Sequence, residues 1–169
     1  MKPKVIATYG MMIALAMVLS FLESMLPAFV AIPGVKLGLT NLVVMVALYR
    51  MKPADAVIIN VIRIILVGLT FGNAFSMVYS LFGGVISFVV MWFLFRTGKF
   101  SQTGVGAAGG VAHNLGQIIV AMIVMKTTGV VFYLPVLIAS GLIAGVVIGV
   151  LCGLVVARLP DPTSDQTFL

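Results

Sequence analysis

Polar and charged positions gather at the ends of long apolar stretches, and this spacing lays out the elements before any motif is considered. Runs at or near the roughly 20 residues needed to cross a bilayer fall at Val5–Leu26, Leu37–Tyr49, Ala54–Thr70, Ala74–Phe95, Gly104–Met125 and Phe132–Ala157. The pattern predicts six helices. The second run is too short for the full bilayer and is expected to begin inside the protein at a partly buried loop.

Composition agrees that lipid is the main solvent. The chain is 62% hydrophobic and 8% charged, with a mean hydropathy of +1.27. Alternating the connections between two sides places Lys2, Lys4, Arg50, Lys52, Arg96, Lys99 and Arg158 on one face and leaves Lys36 and Lys126 on the other. The positive-inside rule makes the crowded face cytoplasmic, with both termini there. The net charge of +6 thus reads as a topology signal and a surface for anionic lipid headgroups. No aromatic-basic interleaving supports nucleic-acid binding, which is rejected.

The expected fold is an all-α integral membrane protein, a bundle of six transmembrane helices. The connections after Tyr49, Thr70 and Phe95 span only a few residues and hold antiparallel neighbours together, so residues 1–159 form a single domain. Residues 160–169, polar and frayed, form a cytoplasmic tail. The first run follows Met-Lys-Pro-Lys but is long and lacks a clear small-x-small cleavage site, so it is read as a retained helix. Cys152 is the single cysteine and reads as a small packed residue.

Small residues show how the helices associate, because lipid tails leave close backbone approach as the source of contact energy. Gly141, Gly145, Gly149 and Gly153 recur every four residues along the last helix, and Gly106 and Gly110 begin a similar face on the fifth. Packing inside the bundle is the expectation, with a homodimer seam as the alternative. On the first helix Gly10 and Ala14, continued by Ala16 and Ser20, form a docking face.

Chemistry belongs with the polar groups that lipid penalises, since a charge at mid-bilayer costs about 2.5–3.5 kcal/mol on insertion scales. Arg63 stands nine residues past Ala54, roughly 13 Å into the membrane at ~1.5 Å per residue, and must face the interior. Asn60 shares its face one turn away, and Glu23 is the acidic partner available to it. His113 and Gln117, an i,i+4 pair, and the adjacent Asn114 mark a cavity on the fifth helix. Between the first two helices, Pro27, Pro33, Gly34 and Gly38 break the helix on the outer side. Irregular backbone at membrane level is tolerated where it lines a cavity. The second helix starts near Gly38, and its free N–H groups beside Lys36, Thr40 and Asn41 form an anion cradle. An ordinary outer loop with Lys36 in water is the plainer alternative.

Lys36, Arg63 and His113 together suit a small anionic solute entering from outside. The chain has four acidic residues, two of them in the tail, so paired aspartate-rich motifs for magnesium and diphosphate are absent. No Gly-rich nucleotide loop is present. No second histidine or carboxylate cluster accompanies His113 to make a metal site. No cofactor and no catalytic role are therefore expected.

The segments Ile32-Pro33-Gly34-Val35-Lys36-Leu37-Gly38-Leu39-Thr40-Asn41 and Ala112-His113-Asn114-Leu115-Gly116-Gln117 resemble the Gx transporter family, often labelled heptaprenyl diphosphate synthase component I. That family is similar to the substrate-binding S components of energy-coupling factor transporters. The resemblance implies capture of a vitamin-like solute outside and transfer across the membrane, with a transmembrane coupling subunit and two ATPases supplied by other chains. It also implies that Gly10 and Ala14 stand for the alanine-x-x-x-alanine face that meets the coupling subunit, with glycine replacing the first alanine. The Pro27–Lys36 loop would act as a lid.

Three function classes follow: a solute-binding transport subunit, a non-catalytic membrane partner of a soluble prenyl synthase holding an isoprenoid diphosphate, and a structural subunit in which Arg63 and Glu23 brace helices.

Overall fold

The computed structural model describes residues 3–25 and 38–159. Lys36, the Pro27–Lys36 loop and the 160–169 tail lie outside the described residues. Six α-helices follow one another: α1 (Pro3–Met25), α2 (Leu39–Arg50), α3 (Pro53–Thr70), α4 (Ala74–Thr97), α5 (Gln102–Met125) and α6 (Leu134–Arg158). A 3₁₀ turn, Gly129–Tyr133, leads into α6. Among the described residues there is no strand.

Local chemistry sets the ends of these helices. Proline occupies the first turn of α3 and α6, where its missing N–H costs nothing. Asn73 starts α4 with a capping box: its Oδ1 accepts from Ser76 N at 2.8 Å, and Ser76 Oγ accepts from Asn73 N at 3.0 Å. Gly98, at φ +65°, terminates α4 in the left-handed conformation, and Ser101 caps α5 by accepting from Gly104 N.

The helices close into a ring. α5 lies between α4 and α6, α6 packs on α2, α2 on α3, and α3 on α4, while α1 straps the outside of α2 and α3. The 12-residue α2 is about 18 Å long, well short of a ~30 Å hydrocarbon core. Its apolar residues Val43 to Leu48 are buried without a break, because α1, α3 and α6 all pack on it. The other five helices are long and apolar enough to span a membrane. Large apolar side chains such as Leu69, Phe93, Ile123 and Ile143 face outward, while Asn60, Arg63, Ser87, Asn114 and Gln117 are buried. Polar groups inside and apolar groups outside define an all-α membrane bundle.

The glycine ladder is consumed within the chain. A Cβ on Gly106 would stand 2.5 Å from Gly145 O and 2.8 Å from Gly149 Cα, and one on Gly149 would stand 2.6 Å from Thr103 Cα. The contact is backbone against backbone between α5 and α6, so five of the six ladder glycines serve bundle packing. Gly153 stands apart, with Gln102 Oε1 at 4.0 Å as its nearest neighbour.

At one end of the bundle Arg50, the last residue of α2, donates from Nη2 to the carbonyls of Val156 and of Leu159, the latter at 3.0 Å. A cation thus sits on the exposed C-terminal carbonyls of α6, where the helix dipole favours it. Tyr49 meets Phe95 edge to face at 4.8 Å beside it, and Arg96 lies over Trp92 at 5.7 Å. Arg50, Arg96 and Arg158 therefore share one end of the molecule.

Candidate solute-binding cavity

A cavity of about 320 Å³ runs from Phe71, Gly72 and Asn73, at the other end of the bundle, past mid-depth to Met91, Gly106 and Ile148. The second half of α1 contributes Ser20 and Glu23, the start of α2 Thr40 and Asn41, α3 Arg63, and α5 His113, Asn114 and Gln117. Asn60 lies beneath Arg63 without lining the space.

Arg63 is the hub. It is 6% exposed, and its guanidinium is held by neutral oxygens from two helices. Nη1 donates to Thr40 Oγ1 at 2.8 Å and Nη2 to Asn41 Oδ1 at 2.9 Å. Asn60 Oδ1 accepts from both Nη2, at 2.8 Å, and Nε, at 3.1 Å. Asn60 is oriented in turn by donating from Nδ2 to Gly84 O at 3.2 Å. A guanidinium has five N–H donors, so these four bonds leave one Nη1 N–H unspent among the described residues.

Glu23 shares the cavity and lies close enough to act on Arg63 electrostatically. Its Oε1 accepts from Gly38 N at 2.6 Å. The carboxylate thereby ties α1 to the start of α2, where a helix dipole favours an anion. This changes the expected anion cradle. The start of α2 is met by the chain's own Glu23, and Thr40 and Asn41 give their oxygens to Arg63.

On α5 the expected face divides its work. Asn114 Nδ2 donates to Leu137 O at 2.6 Å and fastens α5 to α6. His113 and Gln117 face α4 at a close crossing: a Cβ on Gly83 would stand 2.9 Å from His113 O and 3.0 Å from Gln117 Cγ. Gly83 and Gly116 set that approach. Ser87, fully buried, closes the deeper wall by donating to Gly109 O at 2.8 Å.

Other lining residues were not singled out from the sequence, among them Ser76, Ser80 and Met77. Serine and methionine in an apolar run carry little signal. The face on α1 does not continue as far as expected. Gly10 and Ala14 are exposed, and nothing lies within 4 Å of a Cβ on Gly10. Ala16 and Ser20, expected to continue that face, are buried, and Ser20 lines the cavity. Among the described residues no group of three His, Cys, Asp or Glu side chains could hold a metal ion.

A helical membrane bundle built around a polar, arginine-centred cavity is the class that fold and site define. Residues 12–155 match the family model for heptaprenyl diphosphate synthase component I, and the chain belongs to that family. The match runs through all six helices. No curated protein and no solved structure matches the chain.

Proposed function

We propose that this protein is the solute-binding membrane subunit of an energy-coupling factor type transporter and takes up a small anionic, vitamin-like or precursor solute. The buried Arg63 carries this reading: a fixed cation in the cavity wall, oriented by three neutral side chains and, among the described residues, with one Nη1 N–H unspent. Charged side chains inside a membrane pair with an opposite charge or with backbone carbonyls. Arg63 instead takes its short contacts from Thr40, Asn41 and Asn60, and Glu23 is engaged with Gly38.

The cavity reaches Phe71, Gly72 and Asn73 at the end opposite Arg50, Arg96 and Arg158. By the positive-inside rule that basic end faces the cytoplasm and the cavity faces outside. A cysteine replacing Lys99 in a Cys152→Ser background is expected to resist an impermeant thiol reagent applied to intact cells; labelling there would reverse the orientation. The protein itself is non-catalytic. The exposed Gly10 and Ala14 present a smooth face on α1 for a transmembrane coupling subunit, which with its ATPases would supply the energy.

A second reading follows from the family's name: a non-catalytic membrane partner of a soluble polyprenyl diphosphate synthase. Affinity isolation of the tagged protein from its native membrane separates the two. Recovery of a coupling subunit and ATPases, diminished by Gly10→Leu, supports the transporter. Recovery of a prenyl synthase without them favours the second reading.

A further inference from the structure

Next to the polar cavity lies a second space of about 480 Å³, walled by α4, α5, the 3₁₀ turn and α6. The two share Ser76, Ser80 and Gln117. Beyond these three residues the character changes. Phe75, Tyr79, Ile118, Ala121, Tyr133 and Leu137 make the second space almost wholly apolar. Phe75 and Tyr79 pack ring on ring at 4.6 Å along one wall. Ile118, Ala121 and Leu137 are buried, whereas Phe75 and Tyr133 are about half exposed. The annex is therefore closed at depth and open at its rim. Each space falls within the ~300–1,000 Å³ of small-molecule sites.

We propose that the solute is a single-chain amphiphile whose anionic head sits at Arg63 and whose apolar body fills the annex beyond Gln117. The proposal rests on the anion-binding reading of Arg63 and adds the chemical class of what binds. Two observations select the occupant. The annex adjoins the charged cavity across Ser76, Ser80 and Gln117, short and unbranched side chains between which a single chain can pass, so one molecule can desolvate its apolar body as its head reaches the guanidinium. Among the described residues, the polar cavity sets Arg63 beside one carboxylate, Glu23. The Arg63 and Glu23 pair matches a singly charged head such as a carboxylate better than a multiply charged diphosphate, which would be repelled by Glu23.

The test uses the full-length protein in nanodiscs of neutral phosphatidylcholine. Thermal stabilisation is titrated with straight-chain carboxylates from acetate to decanoate, with decanol and with geranyl diphosphate. Wild type is compared with Arg63→Gln and with Ala121→Phe, which fills the annex. Partition into lipid is common to all three proteins and cancels in the comparison. For wild type, half-saturation is expected to fall up to about fourfold per methylene, the equivalent of ~0.8 kcal/mol for each buried CH₂. Ala121→Phe is expected to flatten the chain-length series while retaining short carboxylates, and Arg63→Gln to weaken the whole carboxylate series. An Arg63-dependent response that is flat in chain length overturns the amphiphile and leaves the anion site standing. A series in which Arg63→Gln behaves as wild type overturns both. Geranyl diphosphate binding more tightly than decanoate overturns the singly charged head.

A measurement independent of variant folding is photolabelling of wild type with a diazirine-bearing decanoic acid. Crosslinks are expected on residues 75–79 and 129–133. Labels confined to outward-facing positions such as Val89 and Phe93 would overturn the annex as the binding place.

Discussion

Gly149 and Gly153 sit one turn apart on α6 and belong to the same four-residue repeat, yet their alanine variants should behave oppositely. A Cβ on Gly149 would lie 2.6 Å from Thr103 Cα and 2.7 Å from Gln102 O, both main-chain atoms that no side-chain rotation can move. Ordinary contact begins near 3.4 Å, so α5 and α6 would have to separate by several tenths of an ångström along their shared backbone contact. Forced overpacking of this kind costs about 1–3 kcal/mol. A Cβ on Gly153 meets its nearest neighbour only at 4.0 Å. Both variants gain roughly 0.8–1.0 kcal/mol of helix propensity, which cancels between them. The gap is the overpacking cost, equivalent to about 2–12 °C in Tm for a chain of this size. Thermal unfolding of the two purified variants in one detergent measures it. Equal melting temperatures, or a less stable Gly153→Ala, would refute the reasoning that α5 and α6 meet backbone to backbone.

Three further outcomes follow from the same contacts. Asn60→Leu strips Arg63 of the oxygen that accepts from both Nε and Nη2, a loss of about 1.5–3 kcal/mol for a bond to a charged group. Adding Arg63→Met should restore stability without restoring ligand binding, and a melting curve showing no rescue counts against the network. Glu23→Gln keeps an acceptor for Gly38 N–H but removes a negative charge from the cavity, so anion affinity should rise while Tm falls, because the start of α2 and the buried Arg63 both lose that charge; weaker anion binding by this variant would argue that Glu23 contacts the solute favourably. Arg50→Gln withdraws the cation from the Val156 and Leu159 carbonyls and should cost about 1.5–3 kcal/mol, with faster hydrogen exchange confined to the end of α6. Unchanged exchange there would remove the capping role.

The helices were legible in the sequence because the bilayer leaves few choices: an apolar run of this length must satisfy its backbone internally. The short second run, and its need for shelter, were equally plain, and α2 is covered by α1, α3 and α6. Arg63, Asn60, His113, Asn114 and Gln117 stood out because polar side chains in apolar runs have to face inward, and they converge on one region. The pairings were less accessible. The spacing of Glu23 and Arg63 permits a direct contact, but whether the carboxylate meets the guanidinium or the Gly38 N–H depends on how α1 lies against α2. Arg50 read as a topology charge, and its grip on α6 links residues more than 100 positions apart. The assignment of Ala16 and Ser20 to the Gly10 face was avoidable. Six residues advance the helix by about 240°, which puts Ala16 well away from the Gly10 and Ala14 stripe.

Native mass spectrometry of the gently solubilised wild type beside Arg63→Ala, with both shown to be folded, tests the central claim most directly. The account predicts a small anionic molecule retained by the wild type and lost from the variant. A ligand held equally by both proteins, or a wild type that stays empty after isolation from its native membrane, would contradict it.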